Sequence, residues 1–299
     1  MTLVMCVLIS ALSAQQPLLF DADSLLARNR MLSDDAMEGR GIGTDGSTRA
    51  REMLIETMDR LGVQPLNGAW EHPFSVVMNM KKGIAKGTNV LGWIAGTEHP
   101  EEYIVVSCHY DHMGIMDGEV YNGADDNASG TAALLAFAEY FSTHAPRHSI
   151  IFAAFDGEET GLIGSRAFVD DCMERGLAIK ANVNMDMIGR NEHNEIYLCG
   201  RSRYPDLYAR LAIPEVGVTV KFGHDGSDGK EDWTMASDHA NFHRRGIPFI
   251  YLGEEDHPDY HEPTDDFERL MPEFYQGVTQ LAILLTIQLD EAFANRVGR

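Results

Sequence analysis

Two apolar runs of strand length constrain the fold of this chain more than any other feature. Tyr103-Ile-Val-Val-Ser-Cys-His109 and Ser149-Ile-Ile-Phe-Ala-Ala-Phe155 lack the alternating polar positions of a half-exposed strand. Continuous apolar strands are typical of parallel sheets, which helices cover on both faces. Further strand patterns follow at 179–187, 195–199 and 247–252. Helical spacing occurs between strands at 129–141 and 164–175, and after the last strand at 274–292. This alternation predicts an α/β fold with a mixed, mostly parallel central sheet flanked by helices on both faces.

The organisation before and between these runs indicates one domain. Helical spacing at 23–30 and 47–61 precedes strand patterns at 74–78 and 89–94, with residues 81–83 as the turn between the two strands. The polar, glycine-rich segment 222–233 is expected to be a loop, either beside a functional site or on the outer surface. No composition shift or internal repeat marks a boundary, so we predict a single domain over residues 15–299.

Residues 1–14 have a different character. The apolar segment Leu3–Ile9 is followed by the small residues Ser10–Ala14, which is the pattern of a secretory signal peptide, although no Lys or Arg precedes it. We therefore expect a signal peptide over 1–14 and a secreted or periplasmic protein. No other segment reaches the roughly 20 apolar residues that a membrane-spanning helix needs.

Charge and cysteine content exclude some classes of partner and of fold. The chain carries 24 basic and 46 acidic residues, a net charge of −22, and this charge repels nucleic acid and anionic lipid. After a signal peptide is removed, Cys108, Cys172 and Cys199 remain, which are too few and too scattered for a disulfide framework. Cys108 is expected to be a buried apolar residue, and a bridge between Cys172 and Cys199 stays open.

Polar segments stand at or just after the strand patterns, where open α/β sheets place their chemistry. Their side chains are oxygen and imidazole donors, with no cysteine among them, and such donors suit zinc or a similar divalent ion in a catalytic site. The segments are His109-Tyr-Asp111, Gly123-Ala-Asp-Asp-Asn-Ala-Ser-Gly130, Asp156-Gly-Glu-Glu159, Asn184-Met-Asp186 and Tyr260-His261.

Spacing suggests a division of roles within these segments. Residues two apart in a strand point to one face, so Asp111 can accept a hydrogen bond from His109 and orient it toward a metal. Asp125, in a turn before a helix, can bridge two ions. Adjacent side chains diverge, so Glu159 can bind metal while Glu158 faces a bound water as a general base.

The remaining candidates need a choice between neighbours. Asp186 follows a strand and is a reasonable ligand at its end. His112 lies on the opposite face from His109 in an extended chain and is taken as non-ligating. His257 and His261 share one loop as rival ligands, and the family resemblance given next favours His261.

Together the motifs resemble those of the M28 family of zinc peptidases, whose simplest members are secreted bacterial aminopeptidases. The resemblance extends from about Asp34 to the end of the chain. It is carried by His109-Tyr-Asp, Asn122-Gly-Ala-Asp-Asp-Asn-Ala-Ser-Gly, Asp156-Gly-Glu-Glu, Asn184-Met-Asp-Met-Ile-Gly, Ser237-Asp-His and Tyr260-His-Glu-Pro-Thr-Asp.

The resemblance implies a zinc-dependent exopeptidase fold and two Zn²⁺ ions per chain, bridged by Asp125. Glu159 and His261 would complete the shell of one ion, and His109 and Asp186 that of the other. The family also implies a cis peptide bond after the bridging residue, here between Asp125 and Asp126.

The same resemblance implies Glu158 as general base, Asp111 as the partner of His109, and, more loosely, a contact of Tyr251 with the transition state. The substrates would be peptides with a free N-terminus. Glutaminyl cyclases, with one zinc, resemble the same fold, but Tyr260 stands here where they usually carry Trp. A non-catalytic relative that binds metal or peptide is a further alternative, although no base or ligand is lost.

Overall fold

The computed structural model describes residues 17–79 and 83–295. Helices and strands alternate along most of this chain. In chain order they are α1 (Ala22–Leu32), α2 (Asp45–Arg60), β1 (Gln64–Pro65), β2 (Glu71–Asn79), β3 (Gly83–Ile94), β4 (His99–His109), β5 (Gly114–Met116), β6 (Glu119–Tyr121), α3 (Ala128–Thr143), β7 (His148–Phe155), α4 (Ile163–Glu174), β8 (Ala178–Met185), β9 (Glu195–Cys199), α5 (Pro205–Tyr208), β10 (Thr219–Phe222), α6 (His239–Arg244), β11 (Phe249–Gly253) and α7 (Pro272–Ala294).

One sheet of nine strands forms the centre of the fold. Its strand order is β1-β3-β7-β4-β8-β11-β9-β10, and β2 pairs with the outer part of β3. The four central strands β7, β4, β8 and β11 run parallel to one another, whereas β3 is antiparallel to β7 and β9 is antiparallel to β11. The prediction of a mixed, mostly parallel sheet is confirmed.

The central strands are buried on both faces, as their continuous apolar sequences predict. Alternate residues of β4 separate between two apolar clusters: Ile104 and Val106 pack on one side of the sheet and Val105 on the other. Helices α1, α2, α3 and α7 contribute apolar side chains to the first cluster, and α4 and α6 contribute Phe168 and Phe242 to the second. Helices therefore cover both faces.

Helix α3 begins at a well-defined cap. The Asn127 side chain accepts a hydrogen bond from the backbone N–H of Gly130, at 2.9 Å, and satisfies one of the free donors of the first turn. Alanines fill much of this helix, and it is buried around most of its circumference. The cap fixes the direction in which the preceding turn, residues 123–127, meets the sheet.

The strands that sequence patterns missed lie away from the centre of the sheet. β10 is an edge strand whose residues are half-buried or exposed, so its apolar signal is weak. β2 and β3 are longer than the predicted 74–78 and 89–94, and residues 81 and 82 of the predicted turn lie outside the described residues. Residues 223–232 form no helix or strand, as expected for a loop.

Two features concern the compartment and the cysteines. The predicted signal peptide, residues 1–14, lies outside the described residues. Among the helices the structure describes, none is sufficiently long and apolar to cross a membrane. Cys108, Cys172 and Cys199 are all buried free thiols, so the bridge left open by the sequence is not formed.

Candidate metal centre

The candidate site lies where the four parallel strands end. β4 ends at His109, β7 is followed by Glu158 and Glu159, β8 is followed by Asp186, and the loop after β11 carries His261. Because parallel strands end at one edge of the sheet, segments separated by up to about 150 residues of sequence meet there. The prediction placed the site at this edge.

Asp126 stands between two groups of donor atoms. Its Oδ1 lies 3.3 Å from His109 Nε2, which is itself 3.1 Å from Asp186 Oδ1. Its Oδ2 lies 3.2 Å from His261 Nε2, which is 3.4 Å from Glu159 Oε2. One carboxylate thus offers one oxygen to each group, which is the arrangement of a ligand bridging two ions.

The structure corrects the prediction that Asp125 takes this position. The Asp125 carboxylate points away from both groups: Oδ1 accepts a hydrogen bond from Gly189 N–H at 2.6 Å, and Oδ2 lies 3.1 Å from His257 Nε2. Successive residues of the turn point in opposite directions, so a shift of one residue exchanges ligand and support. The cis peptide bond likewise joins Asp126 to Asn127 rather than Asp125 to Asp126.

A buried carboxylate from the last loop holds this turn. The backbone N–H of Asp125 donates to Asp265 Oδ1 at 3.0 Å, and the N–H of Asp126 donates to Asp265 Oδ2 at 3.0 Å. Asn127 ties the turn to β8, because its Nδ2 donates to the carbonyl of Met185 at 3.0 Å. The turn is therefore fixed between the strand and the loop that supply the other donors.

Arg40 supports the same turn from below and was not identified from the sequence as a site residue. The side chain is fully buried and donates to the carbonyl oxygens of Tyr110, Leu32, Asn122 and Gly123 at 2.6 to 3.0 Å. Burial lowers the pKa of the guanidinium to about 10, with the carboxylates of the site, including Asp126, acting in the opposite direction. The group stays charged at neutral pH and faces a strongly acidic site.

His109 is oriented by a backbone oxygen rather than by the predicted carboxylate. Its Nδ1 lies 3.1 Å from the carbonyl oxygen of Asp111 and 3.8 Å from Asp111 Oδ1. The Asp111 carboxylate instead accepts the backbone N–H of Glu158 at 3.1 Å. Asp111 therefore fixes two neighbours: its carbonyl sets the tautomer of His109, and its carboxylate positions Glu158.

Glu158 and Glu159 diverge, as their adjacency predicts, and both line the same cavity. Burial raises the pKa of Glu158 well above its usual range; nearby carboxylates, among them Asp186 and Asp238, add to this, and His109 opposes it. A carboxyl group with a raised pKa in a cleft is a candidate acid or base.

His112 comes closer to the site than the sequence suggested. It was taken as non-ligating on the assumption that the strand continues, but β4 ends at His109. The His112 ring is buried, and its Nδ1 lies 2.8 Å from Glu159 Oε1 and 3.7 Å from Asp126 Oδ2. His257 instead lies against Asp125.

The donor atoms fit divalent ions. His109, Asp126 and Asp186 offer one donor atom each, and these atoms lie within 4.8 Å of one another; His112, Asp126 and Glu159 form a second such group. Imidazole nitrogens and carboxylate oxygens without thiolates are the ligands of catalytic zinc. Buried carboxylates this close repel one another unless positive charge is supplied.

The cavity above these donors has a volume of about 350 Å³. Tyr251, predicted to contact the transition state, lies in its wall, and the loop before residue 233 brings Trp233 to its rim. Apolar and aromatic side chains face the donors, and among the described residues no Lys or Arg lines the cavity. The apolar members are Leu162, Met187, Trp233, Met235, Ala236, Tyr251 and Tyr260.

Comparison with protein families agrees with the resemblance seen in the motifs. The model of the family described as Peptidase family M28 matches residues 89–286, which is more than half of the chain. The matched residues include every segment of the site, from His109 to His261. The predicted family is confirmed.

Individual relatives extend this comparison. The chain is 33% identical over 223 residues to Aminopeptidase YwaD of Bacillus subtilis, an alignment that covers 70% of this chain and 44% of that protein. The aligned part of this chain therefore spans less than half the length of that curated relative.

Two solved structures share the fold. BSAP, a zinc aminopeptidase from Bacillus subtilis, superposes with a TM-score of 0.71 at 17% identity, covering 91% of this chain and 95% of that one. The glutaminyl cyclase of Fimbriiglobus ruber superposes with a TM-score of 0.75 at 21% identity, covering 92% and 96%.

Proposed function

Because the chain belongs to peptidase family M28, we propose that it is a zinc-dependent aminopeptidase that removes N-terminal residues from peptides. The observation that carries this proposal is the position of Asp126, whose two oxygens each face a separate group of donors. We propose that two Zn²⁺ ions bind there. His109 and Asp186 would hold one ion, Glu159 and His261 the other, and Asp126 both.

The chemistry divides between the ions and the protein. When bound, zinc lowers the pKa of a coordinated water and polarises a carbonyl oxygen. Glu158 accepts the proton of the attacking water and returns it to the amine that leaves. Its burial suits the first part of this role, because a raised pKa makes the Glu158 carboxylate a stronger base that accepts a proton more readily. The carboxylate of Asp111 holds Glu158 in position through the Glu158 N–H.

The cavity supports cleavage at a free N-terminus. Asp256 lies in its lining beside the donors, and a carboxylate attracts a protonated amine. Because no Lys or Arg is found in the lining among the described residues, it offers no lysine or arginine charge to pair with an acidic first side chain. We therefore propose peptides with apolar or aromatic first residues as substrates, and exclude acidic ones.

The test uses the purified chain with Zn²⁺ and a panel of free and N-acetylated aminoacyl-amides. We expect amine release from free-amine substrates alone, with leucyl and phenylalanyl amides cleaved faster than glutamyl amide. Glu158→Gln should lower kcat by about 10²- to 10⁴-fold, the usual contribution of a general base. It should leave the zinc content unchanged, since Glu158 is not one of the proposed ligands. Equal release from acetylated substrates would contradict an aminopeptidase.

Glutaminyl-peptide cyclase is the second candidate, because a glutaminyl cyclase shares the fold with a TM-score of 0.75. Cyclisation of an N-terminal glutamine releases ammonia and needs no cleavage of the chain. Ammonia release from a peptide beginning with Gln, with one zinc per chain and no release from leucyl-amide, would replace the aminopeptidase by a cyclase. The predicted signal peptide makes a secreted or periplasmic location part of the proposal.

A further inference from the structure

A second cluster of metal-binding side chains lies at the opposite edge of the sheet. His99 is the first residue of β4, His148 is the first residue of β7, and the two are paired in register. Glu102 lies three residues into β4. Donor atoms of these three side chains lie within 4.8 Å of one another. From His148 to Phe155, the end of β7 near the catalytic site, the chain rises on the order of 20 Å, so the two clusters are separate.

His148 is oriented as a metal ligand is. It is fully buried, and its Nδ1 lies 2.8 Å from Asp290 Oδ1. Asp290 itself is fixed by the backbone N–H groups of Arg147 and His148, each at 2.8 Å. A carboxylate that accepts from Nδ1–H leaves the lone pair on Nε2, the arrangement that supports histidine ligands of zinc.

The lone pair on His148 Nε2 is buried and makes no hydrogen bond within the described residues. Its nearest acidic neighbour is Glu102 Oε2 at 3.5 Å. A buried polar atom left without a partner costs free energy, and a ligand can remove that cost.

The other two donors leave the cluster open to solvent. The rings of His99 and His148 stack with centroids 4.7 Å apart and planes at 22°. His99 and Glu102 are half-buried, so an ion can enter and water can complete its shell. One positive charge already lies close by, because Lys180 Nζ is 3.2 Å from Glu102 Oε1.

We propose that His99, Glu102 and His148 form an additional metal site for a divalent transition ion, with Zn²⁺ as its probe. Two imidazoles and one carboxylate suit such ions. The ion would join the beginnings of β4 and β7, and through Asp290 it would connect the sheet to α7. This site takes no part in the proposed hydrolysis.

Equilibrium dialysis of the full chain against micromolar free Zn²⁺, followed by metal analysis, tests the site. We expect His99→Ala and Glu102→Gln each to bind one ion fewer per chain than the wild type, whatever number the catalytic site takes. His193→Ala, which alters an exposed histidine elsewhere, should bind as many as the wild type. Circular dichroism checks the fold, and Glu102→Gln decides if His99→Ala does not fold.

Lys180→Gln gives a prediction of opposite sign. Removing the ammonium group beside Glu102 should tighten binding of the additional ion by about tenfold, since a like charge near the ion is lost. If the cluster serves only as an ion pair, the same variant removes the partner of Glu102 and gains no affinity. Equal zinc counts in the wild type and both ligand variants, loss of the ion in His193→Ala, or unchanged affinity in Lys180→Gln would each overturn the proposal.

Discussion

Acidic residues have different partners at the two edges of the parallel strands, the carboxyl edge where the strands end and the amino edge where they begin. At the carboxyl edge, the carboxylates of Asp126, Glu159 and Asp186 meet around histidines, and no Lys or Arg from the described part of the chain lines the cavity. At the amino edge, Glu102 pairs with Lys180, and Asp290 accepts hydrogen bonds from a histidine and two backbone groups. The first edge needs cations from outside to balance its charge, whereas the second is largely balanced by the chain itself. Changes at the first should therefore have much larger effects.

The largest effect is expected for Asp126→Asn. Asparagine has one neutral oxygen in place of two charged ones, so neither donor group keeps its shared carboxylate. We expect loss of zinc from both proposed positions, measured by metal analysis, and loss of the proposed aminopeptidase activity. Asp125→Asn is the matched control, because Asp125 faces Gly189 and His257 instead. Complete loss of zinc in Asp125→Asn with zinc retained in Asp126→Asn would return the bridging role to Asp125.

The next largest effect concerns stability. Arg40→Met leaves four buried carbonyl oxygens without their donor and removes the guanidinium that lies among them. We expect the free energy of unfolding in urea to fall by about 3–5 kcal/mol, as for other broken buried charge networks. Arg245→Met, which breaks an exposed ion pair with Asp170, should cost at most about 1 kcal/mol. Similar losses in both variants would mean that Arg40 does not support the turn.

The free energy of unfolding should depend on pH through His239, whose ring stacks on Tyr251 in the cavity wall. Burial lowers the pKa of His239 to about 3, with His243 adding to this and the carbonyl of Trp233 opposing it. Between about pH 6.5 and 3 the unfolded chain binds a proton that the folded chain does not, so stability falls as the pH falls through this window. Above pH 6.5 the contribution is constant.

The measurement compares urea unfolding of the wild type and His239→Phe at pH 7 and pH 5. From pH 7 to pH 5 the wild type should lose about 2 kcal/mol more than the variant, because pH 5 lies about 1.5 units below the unfolded pKa. Phenylalanine keeps the ring that packs near Tyr251, where the ring centroids are 4.3 Å apart. Equal losses in the two proteins would exclude His239 as the source.

The smallest effect is expected at the amino edge. Lys180→Gln should change the free energy of unfolding of the metal-free chain by less than about 1 kcal/mol, because the pair with Glu102 is partly exposed. Thermal unfolding in a chelator measures this. A loss as large as that of Arg40→Met would show that the two edges do not differ in the way described.

The sequence predicted the central sheet and most of the site because both depend on strands. Buried strands have continuous apolar patterns, and their ends mark the positions of His109, Glu159 and Asp186. The choice between Asp125 and Asp126 could not be made in this way, since it depends on the direction of each side chain in an irregular turn. The hydrogen bonds of Asp265 and Asn127 fix that direction, and they come from distant segments.

Other residues were missed for related reasons. Arg40 lies in an early glycine-rich segment, and no local pattern shows that a lone arginine will be buried beneath a turn formed more than 80 residues later. His112 was judged by strand alternation, which ceases to apply once β4 has ended. The histidines at the amino edge had no motif, because their meeting depends on the pairing of β4 with β7.

The order of strands in the sheet has a kinetic consequence. β4 lies between β7 and β8, although it precedes both in the chain, so the donors meet only after β7 and β8 have paired on either side of it. An ion that needs the complete set of donors would find only some of them, such as His112, Asp126 and Glu159, before β8 has paired. A bound ion would therefore mainly lower the unfolding rate and would have little effect on the folding rate. Its removal would shorten the lifetime of the protein far more than it would alter the refolding rate.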